Sequence, residues 1–146
     1  MSAFKIFDIS GSGLAAESVR LNTIASNLAN ADSETGSAAT VYRARHPVFE
    51  AVRGAVASFG TDLGTDDNGA DEAVRVAGIV ESNAPPTVTH DPGNPLADKN
   101  GDVYSPNVNV IEEMTDMISA SRAYQDNVEV MNTSKDLMLA TLKLGQ

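Results

Sequence analysis

The 146-residue chain contains no cysteine, so neither disulfides nor thiol chemistry enters. Basic residues are scarce: 10 Lys and Arg stand against 20 Asp and Glu, for a net charge of −10 and a pI near 4.4. A chain this acidic repels polyanions, so nucleic acid and anionic membrane surfaces are not expected partners. No apolar run approaches the roughly 18 residues a membrane-spanning helix requires, so no membrane insertion is expected. The opening Met-Ser-Ala-Phe-Lys-Ile-Phe-Asp has no long apolar core, and Asp8 interrupts what there is. It does not read as a Sec-type signal, so any export is expected to use a route without a cleaved peptide.

Catalytic signatures are missing as well. There is no Gly-x-Ser-x-Gly elbow, P-loop or dinucleotide fingerprint, and Gly11-x-Gly13 lacks the strand that must precede a nucleotide loop. His46 and His90 are the only histidines; each precedes a turn residue, and neither has metal-ligand spacing. Asp98-x-Asn100-Gly101-Asp102 superficially resembles a calcium loop, but its glycine comes too early and no terminal Glu follows. A hairpin turn is the expected use of that segment. The chain is thus expected to be no enzyme and to hold no metal or cofactor.

What is present is helical patterning at both ends. Stepping by four and three from Val110 gives Met114, Met117, Ser121, Tyr124, Val128, Met131, Lys135, Met138 and Leu142, and eight of these ten are apolar. That spacing predicts a helix over 108–144 that packs along its length against another helix. Asn109 is placed to cap it, with Glu112 as a capping-box partner. Near the N-terminus, Phe7, Leu14, Leu21 and Leu28 recur every seven residues, with Ile24 and Ala31 at the matching offset. A first helical segment is predicted over 3–31, ended by Asn27-Leu28-Ala29-Asn30-Ala31-Asp32. Within it, Gly11 and Gly13 are compatible with a kink or late start, and equally with close approach of another backbone.

Between the helices the sequence reads as β-rich. Ser33–Thr40 is expected to be loop, Val41–Arg45 a short strand, and His46-Pro47 a break. The stretch Val48–Phe59 fits either a strand pair or a short helix. Residues 60–73 hold five acidic residues, no basic one and three glycines, and predict an exposed mobile loop. A strand is expected over Ala73–Glu81, with Val74, Val76 and Val80 on one face and Gly78 marking a bulge or a close contact. Short strands at Thr87–His90 and Val103–Tyr104 flank the turns Asp91–Pro95 and Asp98–Asp102. The expected fold class is α+β: two long terminal helices forming a coiled-coil-like pair around a small β-rich middle. The segments divide as 1–31, 32–107 and 108–146.

Function turns on surplus apolar surface. Outside the expected seam, the C-terminal segment also carries Ile111, Ile118, Val130, Leu137, Leu139 and Leu144. One antiparallel partner covers only a narrow stripe, and at about 25 cal/mol per Å² six exposed apolar side chains forfeit several kcal/mol. Such patches normally mark interaction sites. Three readings stand: a monomeric helical hairpin, a hairpin that also presents apolar surface to neighbouring copies, and a soluble binding module whose acidic middle takes ions or sugar. Surplus apolar surface favours the second.

Particular motifs narrow this further. Phe4-Lys5-Ile6-Phe7-Asp8-Ile9-Ser10-Gly11-Ser12-Gly13-Leu14, followed by Asn22-x-x-Ala25-Ser26-Asn27-Leu28-Ala29-Asn30-Ala31-Asp32, resembles the N-terminal signature of bacterial flagellar axial proteins. Tyr42-Arg43-Ala44-Arg45-His46-Pro47-Val48-Phe49, Asp91–Asp98 and Pro106–Leu144 are similar to the basal-body rod proteins of that family, in particular those of the proximal rod. The likeness covers nearly the whole chain except the acidic stretch 60–72. It implies a structural subunit that assembles helically in the periplasm and transmits torque from motor to hook. Its implied partners are copies of itself, other rod proteins, the motor-side rod adaptor, the MS ring and the flagellar type III export apparatus. The expected assembly interface comprises Phe7, Leu14, Leu21, Ile24, Leu28, Val110, Met114, Met117, Ile118, Tyr124, Val128, Met131, Met138 and Leu142. Leu21→Asp or Met131→Asp is expected to place a charge in a buried interface and to abolish rod formation and motility. Normal swimming by either variant contradicts that expectation.

Overall fold

The structure, a computed structural model, describes residues 3–53 and 72–144. Helix α1 (Ala3–Ala29) leads into an irregular segment, then the strands β1 (Arg45–Arg53), β2 (Glu72–Glu81), β3 (Thr87–His90) and β4 (Asp102–Ser105), and finally α2 (Val110–Leu144). The class is α+β. Most of the acidic stretch, 60–71, and the second half of Val48–Phe59 lie outside the described residues, so the expectation of a mobile loop is carried no further.

α1 and α2 pack side by side. Contacts pair Gly13 with Asn127, Arg20 with Asp116 and Asn27 with Glu113, so the helices run antiparallel. At 1.5 Å per residue, their 27 and 35 residues span about 40 and 52 Å. α1 runs unbroken through Gly11 and Gly13. A Cβ at Gly13 would lie 3.1 Å from the Asn127 amide, whereas one at Gly11 meets nothing within 4 Å. Close approach thus explains Gly13 and leaves Gly11 unexplained.

The face of α2 that meets α1 differs from the expected seam by one residue. Met117, Met131 and Met138 are half-buried as expected, but the alternate positions on the inner face are Glu113, Ala120, Asn127 and Ser134. The larger Met114, Val128 and Leu142, one residue further on, are exposed, as are Lys135 and Tyr124. Ala120 is fully buried on α2, and Ala16 and Ser10 are buried on α1. Small side chains let the helices approach closely; a periodicity count that rewards large apolar residues therefore selects the neighbouring stripe. As polar members of the predicted stripe, Ser121 and Lys135 are the positions at which a coiled-coil seam sets its register. Ser121 is half-buried and Lys135 exposed, so they do not mark the contact face.

β1 and β2 form an antiparallel ribbon packed on α1, with Ser12 Oγ accepting a hydrogen bond from the Val74 amide at 3.1 Å. The expected break at His46-Pro47 does not occur: Pro47 pairs with Ile79 inside β1. A two-stranded ribbon has two free edges, where a missing N–H costs nothing. Of the two uses expected for Gly78, the bulge is present and the close contact is not, since a Cβ there meets nothing within 4 Å. Val48 pairs with Gly78 and Phe49 with Val76, leaving Ala77 as the extra residue. That residue shifts the side-chain alternation, so Val80 does not share a face with Val74 and Val76.

The second ribbon, β3–β4, is the expected hairpin. Gly101 has φ of +81°, the conformation glycine supplies without strain. Asp98 accepts the amides of Asn100 at 2.7 Å and Asp102 at 3.0 Å. These bonds, that from Asp102 foremost, hold its carboxyl below the ordinary value of 3.8. His90 Nδ1 lies 2.8 Å from Asp102. The segment uses its carboxylates to tie the turn.

Gly13→Leu is expected to push Asn127 aside and destabilise the helix pair by about 1–3 kcal/mol, the usual cost of overpacking. Gly11→Ala meets open space and is expected to stabilise by up to about 1 kcal/mol through helix propensity. Thermal unfolding of the two variants checks both signs.

Candidate functional site: a buried amide junction and an exposed apolar helix face

The tightest part of the molecule is where the end of α1, residues 41–45 and the start of α2 converge. Asn27 lies in the last turns of α1 and is 0% exposed. Its amide uses its full hydrogen-bonding capacity. Nδ2 donates to the Arg45 carbonyl and to Glu113 Oε1, both at 2.8 Å. Oδ1 accepts from Tyr42 Oη at 2.8 Å and from the Arg45 amide at 2.9 Å. A buried amide satisfied on all four valences is held rigidly and ties three chain segments into one register.

The surroundings extend the same logic. Tyr42 commits its proton to Asn27, so the Ser26 hydroxyl 3.3 Å away donates to it. The Arg45 guanidinium sits 5.5 Å from the Tyr42 ring centroid and pairs with Glu81 at 3.0 Å. Asn107 accepts the Ala44 amide at 2.8 Å and donates to the Ala84 carbonyl at 2.9 Å. This is why Val41–Arg45 does not begin a strand at Val41: side-chain amides of Asn27 and Asn107 take the backbone groups a neighbouring strand would have taken. Val41, Ala44, Ile24 and Val103 fill the small apolar core beside them.

Asn109 caps α2 as expected, accepting the Ile111 amide at 3.2 Å. The capping-box role assigned to Glu112 is not seen; Glu112 is exposed, and its neighbour Glu113 turns inward to Asn27. Glu113 also lies in the first turn, where the helix dipole favours a carboxylate. Asn27 itself was read as a helix terminator, because local propensity for Asn points to turns. Nothing local to residue 27 signals a partner 86 positions away.

The fourteen expected interface residues divide by burial. Ile24 is buried. Phe7, Leu14, Leu21, Leu28, Val110, Met117, Met131 and Met138 are half-buried. Met114, Ile118, Tyr124, Val128 and Leu142 are exposed. Ile111, with 78% of its surface accessible, joins Met114 and Ile118, at 51% and 56%, in a stripe turned away from α1. Towards the C-terminal end, Val130, Leu137 and Leu139 are exposed beside the contact face, as the surplus of apolar residues implied. Among the described residues no helix is long and apolar enough to cross a membrane.

Asn27→Ala is expected to orphan a carbonyl, an amide, a phenol and a carboxylate, and to cost about 3 kcal/mol or more. Asn27→Asp keeps the shape but cannot donate to Arg45 and faces Glu113, so it is expected to be no better. Denaturant unfolding of the two variants checks this; wild-type stability in either contradicts the junction's role.

Residues 7–36 match the family model described as flagella basal body rod protein, and residues 99–144 that of the flagellar basal body rod FlgEFG protein C-terminal region. Over 146 residues, covering both chains completely, this chain is 50% identical to the flagellar basal-body rod protein FlgC of Salmonella typhimurium and 52% identical to that of Yersinia enterocolitica. A more distant relative, FlgC of Borreliella burgdorferi, is 36% identical over 152 residues, covering all of this chain and 99% of its own. The two matched regions contain the apolar stripes of both helices, together with Asn27 and Glu113. The chain belongs to the flagellar basal-body rod proteins, a family of structural subunits and not of enzymes.

Proposed function

We propose that this chain is a structural subunit of the proximal rod, assembling helically through α1 and α2 and carrying torque from motor to hook. The observation that carries this reading is the stripe Ile111, Met114 and Ile118, apolar and unpaired, on the side of α2 opposite α1. A self-contained monomer has no use for it, and at about 25 cal/mol per Å² its exposure is unfavourable. In the rod, neighbouring copies and other rod proteins cover it, and the terminal helices form a coiled-coil layer.

In this reading residues 1–31 and 108–146 are the assembly segments, and 32–107 form the β-rich middle. The subunit reaches the periplasmic part of the basal body through the flagellar type III export apparatus without a cleaved signal peptide. The motor-side rod adaptor and the MS ring are its neighbours on the motor side. Torque passes because close-packed helix interfaces deform little.

Ile118→Asp tests the reading. The side chain is exposed, so the free subunit is expected to keep its stability within about 0.5 kcal/mol. In cells the variant is expected to be made but absent from purified basal bodies, leaving cells non-motile. Normal incorporation and swimming would contradict the role of this face.

A further inference from the structure

We infer that Arg43 lies in a docking cleft for a carboxylate side chain of a second copy of this chain, supplied by the outer face of α2 between Asp126 and Asp136. The inference rests on the assembly reading above. The cleft has a volume of about 430 Å³ and lies beside the end of α1. Its wall includes the hydroxyl residues Ser33, Thr35, Thr40 and Tyr42 together with Arg43.

Arg43 is half-buried and, among the described residues, makes no hydrogen bond or ion pair. The other half-buried cation among the described residues, Arg20, is paired with Asp116 at 3.2 Å. Glu81 also borders the cleft, but Arg45 already binds it at 3.0 Å. The protons of those hydroxyls are already donated within the chain, to the Asn30 and Ser37 carbonyls and to Asn27, so the guanidinium alone, held partly out of water, offers donors suited to a carboxylate.

The chain itself offers the complement. Asp126, Glu129 and Asp136 are exposed on α2 and, among the described residues, make no ion pair. Copies that each carry −10 repel one another, so contact between them favours points where a cation meets these carboxylates. Position matters too. The cleft sits at the end of the molecule where α2 begins, while Glu129 lies 19 residues along α2 from Val110, about 28 Å away. Two different patches at separated positions make a head-to-tail contact, and such contacts propagate into open helical assemblies.

The test is a charge exchange in the full chain. Arg43→Glu is expected to lower incorporation into purified basal bodies by about tenfold or more, like-charge contact costing at least about 1.4 kcal/mol. Reversing one of Asp126, Glu129 or Asp136 to Arg in that background is expected to restore it. Photo-crosslinking from a reactive residue at position 43 is expected to capture residues 126–136 of another copy. Arg43→Ala incorporating like wild type overturns the inference, as do crosslinks to a different protein. So does specific binding of inorganic phosphate at Arg43 with assembly unaffected, which marks a free-anion site. Unaltered thermal unfolding of Arg43→Glu separates loss of docking from loss of fold. If the wild-type chain itself is absent from basal bodies, the assembly reading fails; if only the charge exchange fails to restore, the cleft fails alone.

Discussion

One side-chain amide holds this molecule in register. Asn27 reaches the backbone of Arg45, the phenol of Tyr42 and the carboxylate of Glu113 at once, and none of its four hydrogen bonds is spare. Sliding either helix by one turn breaks the set and strands buried polar groups. The junction therefore fixes where α2 starts relative to the end of α1. From that point the antiparallel course of both helices follows, with Arg20–Asp116 and Gly13–Asn127 further along. Buried polar contacts of this kind add less to stability than to the choice of one arrangement over its neighbours.

That choice has a consequence for the surface. The helix faces brought together set Gly13, Ala16, Ala120 and polar side chains beside Met117, Met131 and Met138, while Ile111, Met114 and Ile118 turn outward. Intramolecular packing thus draws partly on small residues, and the outward stripe of α2 keeps apolar area for other contacts. A net charge of −10 disfavours non-specific contact between copies.

Periodicity located both helices in the sequence, and turn chemistry located the β3–β4 hairpin and the Gly78 bulge, because these are set by residues close together in the chain. The inward face of α2 was not legible. Met117, Met131 and Met138 belong to both candidate stripes, and the choice between Met114, Val128 and Leu142 on one side and Glu113, Ala120 and Asn127 on the other depends on the partner helix. The segment Asn27–Asp32 does end α1, as local preference implied, but the distant partners of Asn27 were not legible for the same reason. Pro47 was misread because an edge position, where proline is harmless, is a property of the sheet. The apolar surplus at Ile111, Ile118, Leu137 and Leu139 was legible, since a single partner cannot cover every side of a helix.

Because the chain has no cysteine, a single introduced thiol reports without background on whether the outer face of α2 is covered in the assembled state. Ile118→Cys, labelled with a maleimide in the free subunit and in purified basal bodies, tests the division between inward and outward faces most directly. Lys99→Cys on the exposed hairpin turn serves as the accessible reference. Rapid labelling at position 118 in the free subunit and strong protection in the basal body is the predicted result. Equal labelling in both states, matching the reference, would mean that this apolar face stays open to solvent and that assembly uses another surface.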